Sequence, residues 1–521
     1  MIGPRIGIRI GPSIGPRIGI GTDPLGAAGN VIVLGPADSN GVGQGIGQPA
    51  TLDSEFDPAF AIMVPLTTAP YNKHFAQSSN DPVPYLTDIT GGVGPYDVAG
   101  VQNSGFQVPF SQEMLRAGFP FSLWEHDISG IAAKQWTPLA NFPTLPGGGP
   151  NLWTQTTTRM DTLGGKVRGQ ILVIGGNDGN NTTDAGNCQA NLTAIVNASI
   201  AKWGAALALA MVRNSANQAA AVTFLTTIQA AQDAVAAAFP SNIVEIWTDD
   251  LKLHSDNLHF NGNSLVVLGQ RIAYALLDKL GTARFRPTTP QIVGWGPLYT
   301  AAGVGYNVVG PGCAINGDIE VCSVWSGTAG GTNSPIVTPT TTGAQPWTLQ
   351  GAGASATAGG STMRMAMFTR PVTTADLVTG NGAMPPTTIP VTTPTVNAVN
   401  GARIVVVRGA SAVDVIQYSN NAAFGTALTL TGVTAGFANE GIVAIAGGYR
   451  TNVNPNPVTM APLGVITGLT SMVQSNRTVV SDFVTHAAFQ AALAASGSSG
   501  DINVTFGLGT LACGAVIGFK P

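Results

Sequence analysis

The chain is predicted to fold as a doubly wound α/β domain built on a parallel sheet, followed by an all-β sandwich domain. Three observations predict this. From Gly29 to about Gly281, short apolar runs alternate with helical patterns, and Gly- and Asn-rich polar loops follow the apolar runs, the texture of successive βαβ units. Beyond Arg286 the helical signal nearly vanishes, and alternating or apolar segments are separated by clusters of Gly, Pro, Asn and Thr, as in an antiparallel sandwich. Only 10% of the 521 residues are charged, against 67 Gly and 35 Pro, a composition that excludes coiled coils and helical bundles.

Residues 1–28 form a low-complexity segment in which Ile-Gly-Pro-Arg-Ile-Gly repeats with small variations. Gly, Pro and the three arginines Arg5, Arg9 and Arg17 interrupt every apolar run, so it lacks the continuous core of a secretory signal. It is either a disordered tail or an extended strand whose isoleucines lie in a groove on another subunit. The α/β domain is placed at residues 29–285. Val31–Leu34, a short apolar run ending in Gly-Pro, suits a buried parallel strand, and Phe110–Ala117 reads as a short helix. Phe121–Ile128 and Lys166–Ile174 are the second and third strands, and an amphipathic helix follows over Asn187–Trp203. Ala205–Val212 is a fourth strand, Gln218–Phe239 a long Ala-rich helix, Ile243–Trp247 a fifth strand and Ser264–Leu280 the closing helix. In residues 286–521, strands are expected over Ser361–Thr369, Ala402–Val407, Val413–Tyr418, Ile442–Ala446 and Ile502–Gly507, with a short helix within Val480–Ala495. Pro385–Pro394 reads as an extended loop.

The net charge of −4 and the absence of any basic block argue against nucleic acid as a partner. No run approaches the roughly 18 apolar residues of a membrane span, so no membrane partner is expected. Cys188, Cys313, Cys322 and Cys513 are too scattered for a disulfide framework or a zinc site, although Cys313 and Cys322 are near enough in sequence to bridge a hairpin. The oxygen-rich stretch Asp178–Asp184 does not follow calcium-loop spacing and is expected to be a solvated turn. Neither a metal nor another cofactor is expected.

Three short motifs stand after predicted strands. GPADSNGVGQ places Ser39 on a tight polar turn; VIGGNDGNN places Asn177 and Asp178; SDNLHFNGNS places Asp256 three residues before His259. Ester hydrolysis needs a hydroxyl nucleophile, an imidazole to take its proton, a carboxylate to orient the imidazole, and donors facing the oxyanion. Taken singly, each residue is more simply a turn, cap or loop residue. His254 lacks this three-residue spacing from a carboxylate and reads as a loop residue, and His74 and His126 fit no catalytic spacing.

In this order the motifs resemble the SGNH (GDSL-like) hydrolases, in particular their carbohydrate O-acetylesterase branch, over roughly residues 29–281. The resemblance implies Ser39 as nucleophile, His259 as general base and Asp256 as its orienting carboxylate. It implies an oxyanion hole made by the Ser39 N–H, the Asn177 side chain and a Gly N–H, that of Gly130 in DISGIAAKQW or, as the alternative, Gly105 in NSGFQ. The Gly that usually precedes Asp-Ser in that family is Ala37 here. The strings PWTLQGAG, STMRMAMFTRPVT, ARIVVVRGA and IVAIAGGYR resemble β-sandwich domains of bacteriophage virion and bacterial surface proteins.

The expectation is a serine esterase that deacetylates a cell-surface polysaccharide and rides on a phage virion appendage. Its partners would be an acetylated surface glycan, other virion proteins through the N-terminal segment, and further copies of itself. A non-catalytic structural or receptor-binding virion protein and a free secreted bacterial carbohydrate esterase are the alternatives.

Overall fold

A computed structural model describes residues 30–37, 73–75, 82–84 and most of 106–521, with breaks at 120, 126–130, 138–151, 164–165, 254–255, 261, 283–285 and at loops between 297 and 481. Residues 1–28, Gly105, His126 and His254 lie outside the described residues.

The first sheet contains β1 (Asn30–Ala37), β2 (Lys73–Phe75), β3 (Pro82–Pro84), β4 (Ser122–Glu125), β5 (Lys166–Val173), β6 (Ala208–Val212) and β7 (Ile243–Ile246). Their order is β3-β2-β4-β1-β5-β6-β7, and every pairing except β2 with β3 is parallel. The five strands expected from the sequence form its body, and β2 and β3 extend it beyond β4. Helices α1 (Gln107–Arg116), α2 (Leu152–Leu163), α3 (Thr182–Trp203) and α4 (Leu225–Ala238) lie in the connections between its strands, and α5 (Gly262–Lys279) follows the last of them.

Strand β1 shows why these apolar runs sit inside a sheet covered on both faces. Side chains alternate across a strand with period two, so Ile32 and Leu34 join the core under α1 and α5. Val31 and Val33 join the opposite core under α3 and α4. Because the chain turns to β4 on one side of β1 and to β5 on the other, the strand order reverses at β1. In doubly wound sheets the ligand crevice lies beyond the carboxyl ends at such a point.

Local differences from the expected elements have physical reasons. Helix α2 has no counterpart in the sequence reading, because LWTQTTTRMDTL is rich in poor helix formers and follows a Pro-Gly-rich stretch. Burial of Leu152 and Met160 holds it, and Trp153 packs on Trp203 of α3 with ring centroids 5.4 Å apart. Helix α3 begins at Thr182, earlier than expected, because the Asn181 side chain accepts the Asp184 N–H at 2.8 Å and caps it. The helix expected over Gln218–Phe239 is a 3-10 turn over Ala216–Ala220 followed by α4.

The all-β half consists mainly of two antiparallel sheets. One has strands in the order 348–358, 361–371, 319–329, 398–408 and 291–295, with 299–302 also paired to 398–408. The other runs 412–420, 502–520, 440–451, 482–493 and 467–479, with 425–430 and 458–462 also paired to 502–520. Trp325, Met363, Met365, Tyr449 and Ile517 fill a core between these sheets. Segment Val480–Ala495, expected to contain a helix, instead holds the strand 482–493, paired on both sides. Its Ala-rich text favours a helix locally, but small side chains at Ala487 and Ala488 fit the crowded centre of a sheet, and tertiary pairing overrides propensity. Within the expected loop 385–394, residues 387–389 form a short strand. The possible Cys313–Cys322 bridge is absent: all four cysteines are free and buried. Cys313 faces the core beneath α5, whereas Cys322 points into a separate cluster with Trp347 and Phe368.

An apolar core continues across residue 285. Val293, Cys313, Ala314, Ile315, Val372 and Val406 pack into the same cluster as Leu268, Ile272 and Leu276 of α5. A buried polar chain lies in this seam. Tyr274 Oη donates to Glu113 Oε2 at 3.0 Å and accepts from Arg408 Nη1 at 3.2 Å. Arg408 Nη2 donates to Asp318 Oδ2 at 2.9 Å and to the Cys313 carbonyl at 2.6 Å.

Candidate active site

Asn177, Asp256 and His259 belong to loops that follow strands at the carboxyl edge of the parallel sheet. Ser39 comes two residues after the end of β1 and Gly130 five after β4; both lie outside the described residues. The exit of β1 is itself fixed, because Gln170 of β5, fully buried, donates from Nε2 to the Gly35 carbonyl at 2.6 Å.

After β5, the backbone turns through Gly175, whose φ of +134° and close surroundings both demand glycine. A Cβ there would lie 2.5 Å from Asn214 Oδ1 and 2.7 Å from Ile228 Cγ2. Two residues later, Asn177 is half-buried, and its carbonyl accepts the Asn180 N–H at 3.2 Å. In the stretch expected to be a solvated turn, residues 180–183 are exposed, but the neighbouring Asp178 is fully buried and Asp184 is buried as well. The Asp178 carboxylate accepts the Ala133 N–H, at 2.9 Å to Oδ2 and 3.1 Å to Oδ1. Asp184 is tied to Lys134 at 2.8 Å. The two acids therefore fasten the 3-10 turn Ala133–Trp136, which follows Gly130, to the loop that carries Asn177.

Asp256 and His259 meet. The Asp256 Oδ2 lies 2.6 Å from His259 Nδ1, while Oδ1 accepts the Leu258 N–H at 2.9 Å and the His259 N–H at 3.0 Å. The three-residue spacing works because Asn257 takes a left-handed φ of +57°, which curls the chain back on the carboxylate. Burial pushes the Asp256 carboxyl up, but the hydrogen bonds from His259, Leu258 N–H and His259 N–H outweigh it and hold the group below the usual Asp range. The carboxylate thus stays ionised and accepts the hydrogen bond from His259 Nδ1–H, the tautomer in which Nε2 is the basic nitrogen.

Sequence reasoning missed the residues that hold this loop. Gln218, almost fully buried in the 3-10 turn, donates from Nε2 to the Leu258 carbonyl at 2.6 Å. That carbonyl and the His259 N–H belong to one peptide unit, so the unit is clamped by Gln218 on one side and Asp256 on the other. Gln218 Oε1 accepts from Ser215 N–H at 2.9 Å and Asn214 Nδ2 at 3.1 Å. Asn214 Oδ1 in turn accepts from Gln232 Nε2 at 3.0 Å, which also reaches the Ile174 carbonyl at 2.9 Å. A chain of buried amides therefore runs from the start of the Asn177 loop to the His259 loop. Glutamines in helical text carry no sequence signal for such a role.

Residues 55–278 match the family model described as SASA, carbohydrate esterase, sialic acid-specific acetylesterase. The match includes Gly130, Asn177, Asp256 and His259 and begins downstream of Ser39. Among solved structures, the chain is similar to a protein from Arabidopsis thaliana at 17% identity and TM-score 0.35, covering 48% of this chain and 98% of that one. It is also similar to a carbohydrate acetylesterase from Xanthomonas citri, at 14% identity and TM-score 0.35, covering 71% and 80%. A carbohydrate acetylesterase family member from Sinorhizobium meliloti is similar at 13% identity and TM-score 0.27, covering 36% and 93%. The curated proteins give no match. The chain is a carboxylic ester hydrolase, and the family match supports carbohydrate acetylesterase activity.

Proposed function

We propose that the chain is a serine esterase that removes O-acetyl groups from a cell-surface polysaccharide, and that it acts as part of a bacteriophage virion appendage. The observation that carries the chemistry is the Asp256–His259 pair, with Nδ1 held at 2.6 Å. Ser39 attacks the acetyl carbonyl while His259 Nε2 takes the hydroxyl proton. The tetrahedral oxyanion is held by the N–H groups of Ser39 and Gly130 and by the Asn177 side chain. Collapse expels the sugar alkoxide, which receives the proton from His259. Water, deprotonated by His259, then attacks the acetyl-serine and releases acetate. Proton transfer supplies on the order of 10²–10⁴-fold, and each oxyanion donor about 10²–10³-fold. The appendage setting is supported by the Ile/Gly/Pro/Arg repeat of residues 1–28 and by the low-charge, Gly- and Thr-rich sequence of the sandwich half, a composition that suits symmetric packing of several copies.

The test is acetate release from p-nitrophenyl acetate and from an acetylated bacterial polysaccharide, by the wild type and by Ser39→Ala. Turnover lost in Ser39→Ala is expected; a Ser39→Ala protein as active as wild type would refute the nucleophile. Deleting residues 1–22 is expected to leave turnover intact and to prevent incorporation into a particle. Incorporation without them would refute the anchoring role.

A further inference from the structure

We infer that Trp247 is a stacking platform for a pyranose ring of the glycan substrate, a saccharide subsite at the rim of the esterase site. All eight tryptophans are among the described residues, and Trp247 alone is exposed, at 41%. Five of the others are buried and two are half-buried.

The indole is held rigidly. The Arg213 guanidinium lies 4.4 Å from the ring centroid. That arginine is itself nearly buried and is fixed by Asp233 at 2.7 Å and by Asp249 at 3.5 Å. The Trp247 carbonyl accepts from Arg271 Nη1 at 2.8 Å, and Thr248 Oγ1 donates to the Arg213 carbonyl at 2.7 Å. Arg213 already has carboxylate partners, so the indole is not needed to neutralise it. A cation over one part of the ring, with much of the residue open to solvent, gives a flat, preordered apolar surface that loses little entropy on binding. The C–H face of a pyranose fits such a surface. The Asp249 side chain, 37% exposed on the same arginine, can accept hydrogen bonds from the sugar's hydroxyls.

The platform and the catalytic loop share one support. Asn217 Nδ2 donates to the Asp249 carbonyl at 2.9 Å and to the Leu251 carbonyl at 3.1 Å, and the next residue, Gln218, holds Leu258. Trp247 follows β7 at the carboxyl edge of the sheet, the edge from which the loops of Ser39 and Asn177 also depart.

This inference rests on the esterase reading, and its test separates the two. Wild type, Trp247→Ala and Trp247→Phe are compared on p-nitrophenyl acetate, which has no sugar, and on an O-acetylated sialoside and O-acetylated xylotriose. Trp247→Ala is expected to lose about 10-fold more kcat/KM on the better sugar ester than on p-nitrophenyl acetate, mainly through KM, with Trp247→Phe intermediate. Equal losses on both kinds of ester, or no loss on either, would overturn the platform while leaving the esterase intact. A wild type without turnover on any ester fails the esterase reading instead. In that case, calorimetric binding of sialyllactose and xylotriose decides the platform: binding by wild type lost in Trp247→Ala supports it, and equal binding, or none by wild type, overturns it.

Discussion

Replacing Gln218 with methionine keeps the volume of a buried side chain and removes its amide, which isolates what the His259 clamp contributes. Three groups lose their partner: the Leu258 carbonyl, the Ser215 N–H and Asn214 Nδ2. Ser215 and Asn214 are buried, and each unsatisfied buried group costs about 1–3 kcal/mol, so the two donors together cost about 2–6 kcal/mol. Leu258 is half-buried, and its carbonyl adds less because water can reach it. The peptide unit between Leu258 and His259 loses its restraint from Gln218 and keeps the one from Asp256 Oδ1, so the imidazole is positioned less tightly. A misplacement of about 1 Å costs on the order of 10²-fold in rate. The assay pairs urea denaturation with p-nitrophenyl acetate turnover in the range where Gln218→Met is fully folded. The expected result is a lower midpoint together with a kcat reduced by about 10–100-fold and little change in KM. A destabilised but fully active variant would refute the positioning role, and an unchanged midpoint would refute the reading of the amide chain as a satisfied buried network.

Two further predictions concern the all-β half. Arg408→Met leaves Asp318 buried without its partner, a loss of about 3–5 kcal/mol that chemical denaturation of the full chain would register; a change below about 1 kcal/mol would contradict the seam described above. His486 is fully buried, stacked on Trp325 at 4.9 Å, and accepts at Nδ1 from Arg403 at 3.2 Å while Nε2 faces Ser323 Oγ at 3.1 Å. Burial, with the Arg403 charge adding to it, pushes its pKa well below the usual value near 6.5. Above about pH 6.5 the imidazole is neutral in both states and stability is flat in this group. As pH falls below that value the unfolded chain binds a proton that the fold refuses, so stability declines by up to about 1.4 kcal/mol per pH unit. Melting curves between pH 7.5 and 5 should show this decline in the wild type and a shallower one in His486→Gln; identical slopes would exclude His486 as the source.

The α/β body was legible in the sequence because its strands are covered on both faces. Val31–Leu34 and Ala208–Val212 read as unbroken apolar runs, and no other environment suits them so well. Asp256 and His259 were legible because three residues and one left-handed Asn bring their side chains together within a single turn. What escaped depends on contacts distant in sequence. Helix α2 is held by packing on Trp203 rather than by propensity, and 482–493 is a strand because two neighbours pair with it. Asp178 looked solvated because a carboxylate in a Gly-Asn loop normally is, and its partner, the Ala133 N–H, lies far upstream. The cysteines at 313 and 322 were close along the chain but face different cores, which no spacing rule reveals.

The strand 502–520 bears on how this protein is made. It pairs with four strands, 412–420, 425–430, 440–451 and 458–462, and all four precede it. During synthesis these partners emerge with edges and apolar faces that only the later strand can cover, so the second sheet cannot close behind the ribosome segment by segment. Its assembly is a late event dominated by long-range pairing, and a nascent chain stalled before residue 502 would expose the aggregation-prone surface that the finished molecule conceals.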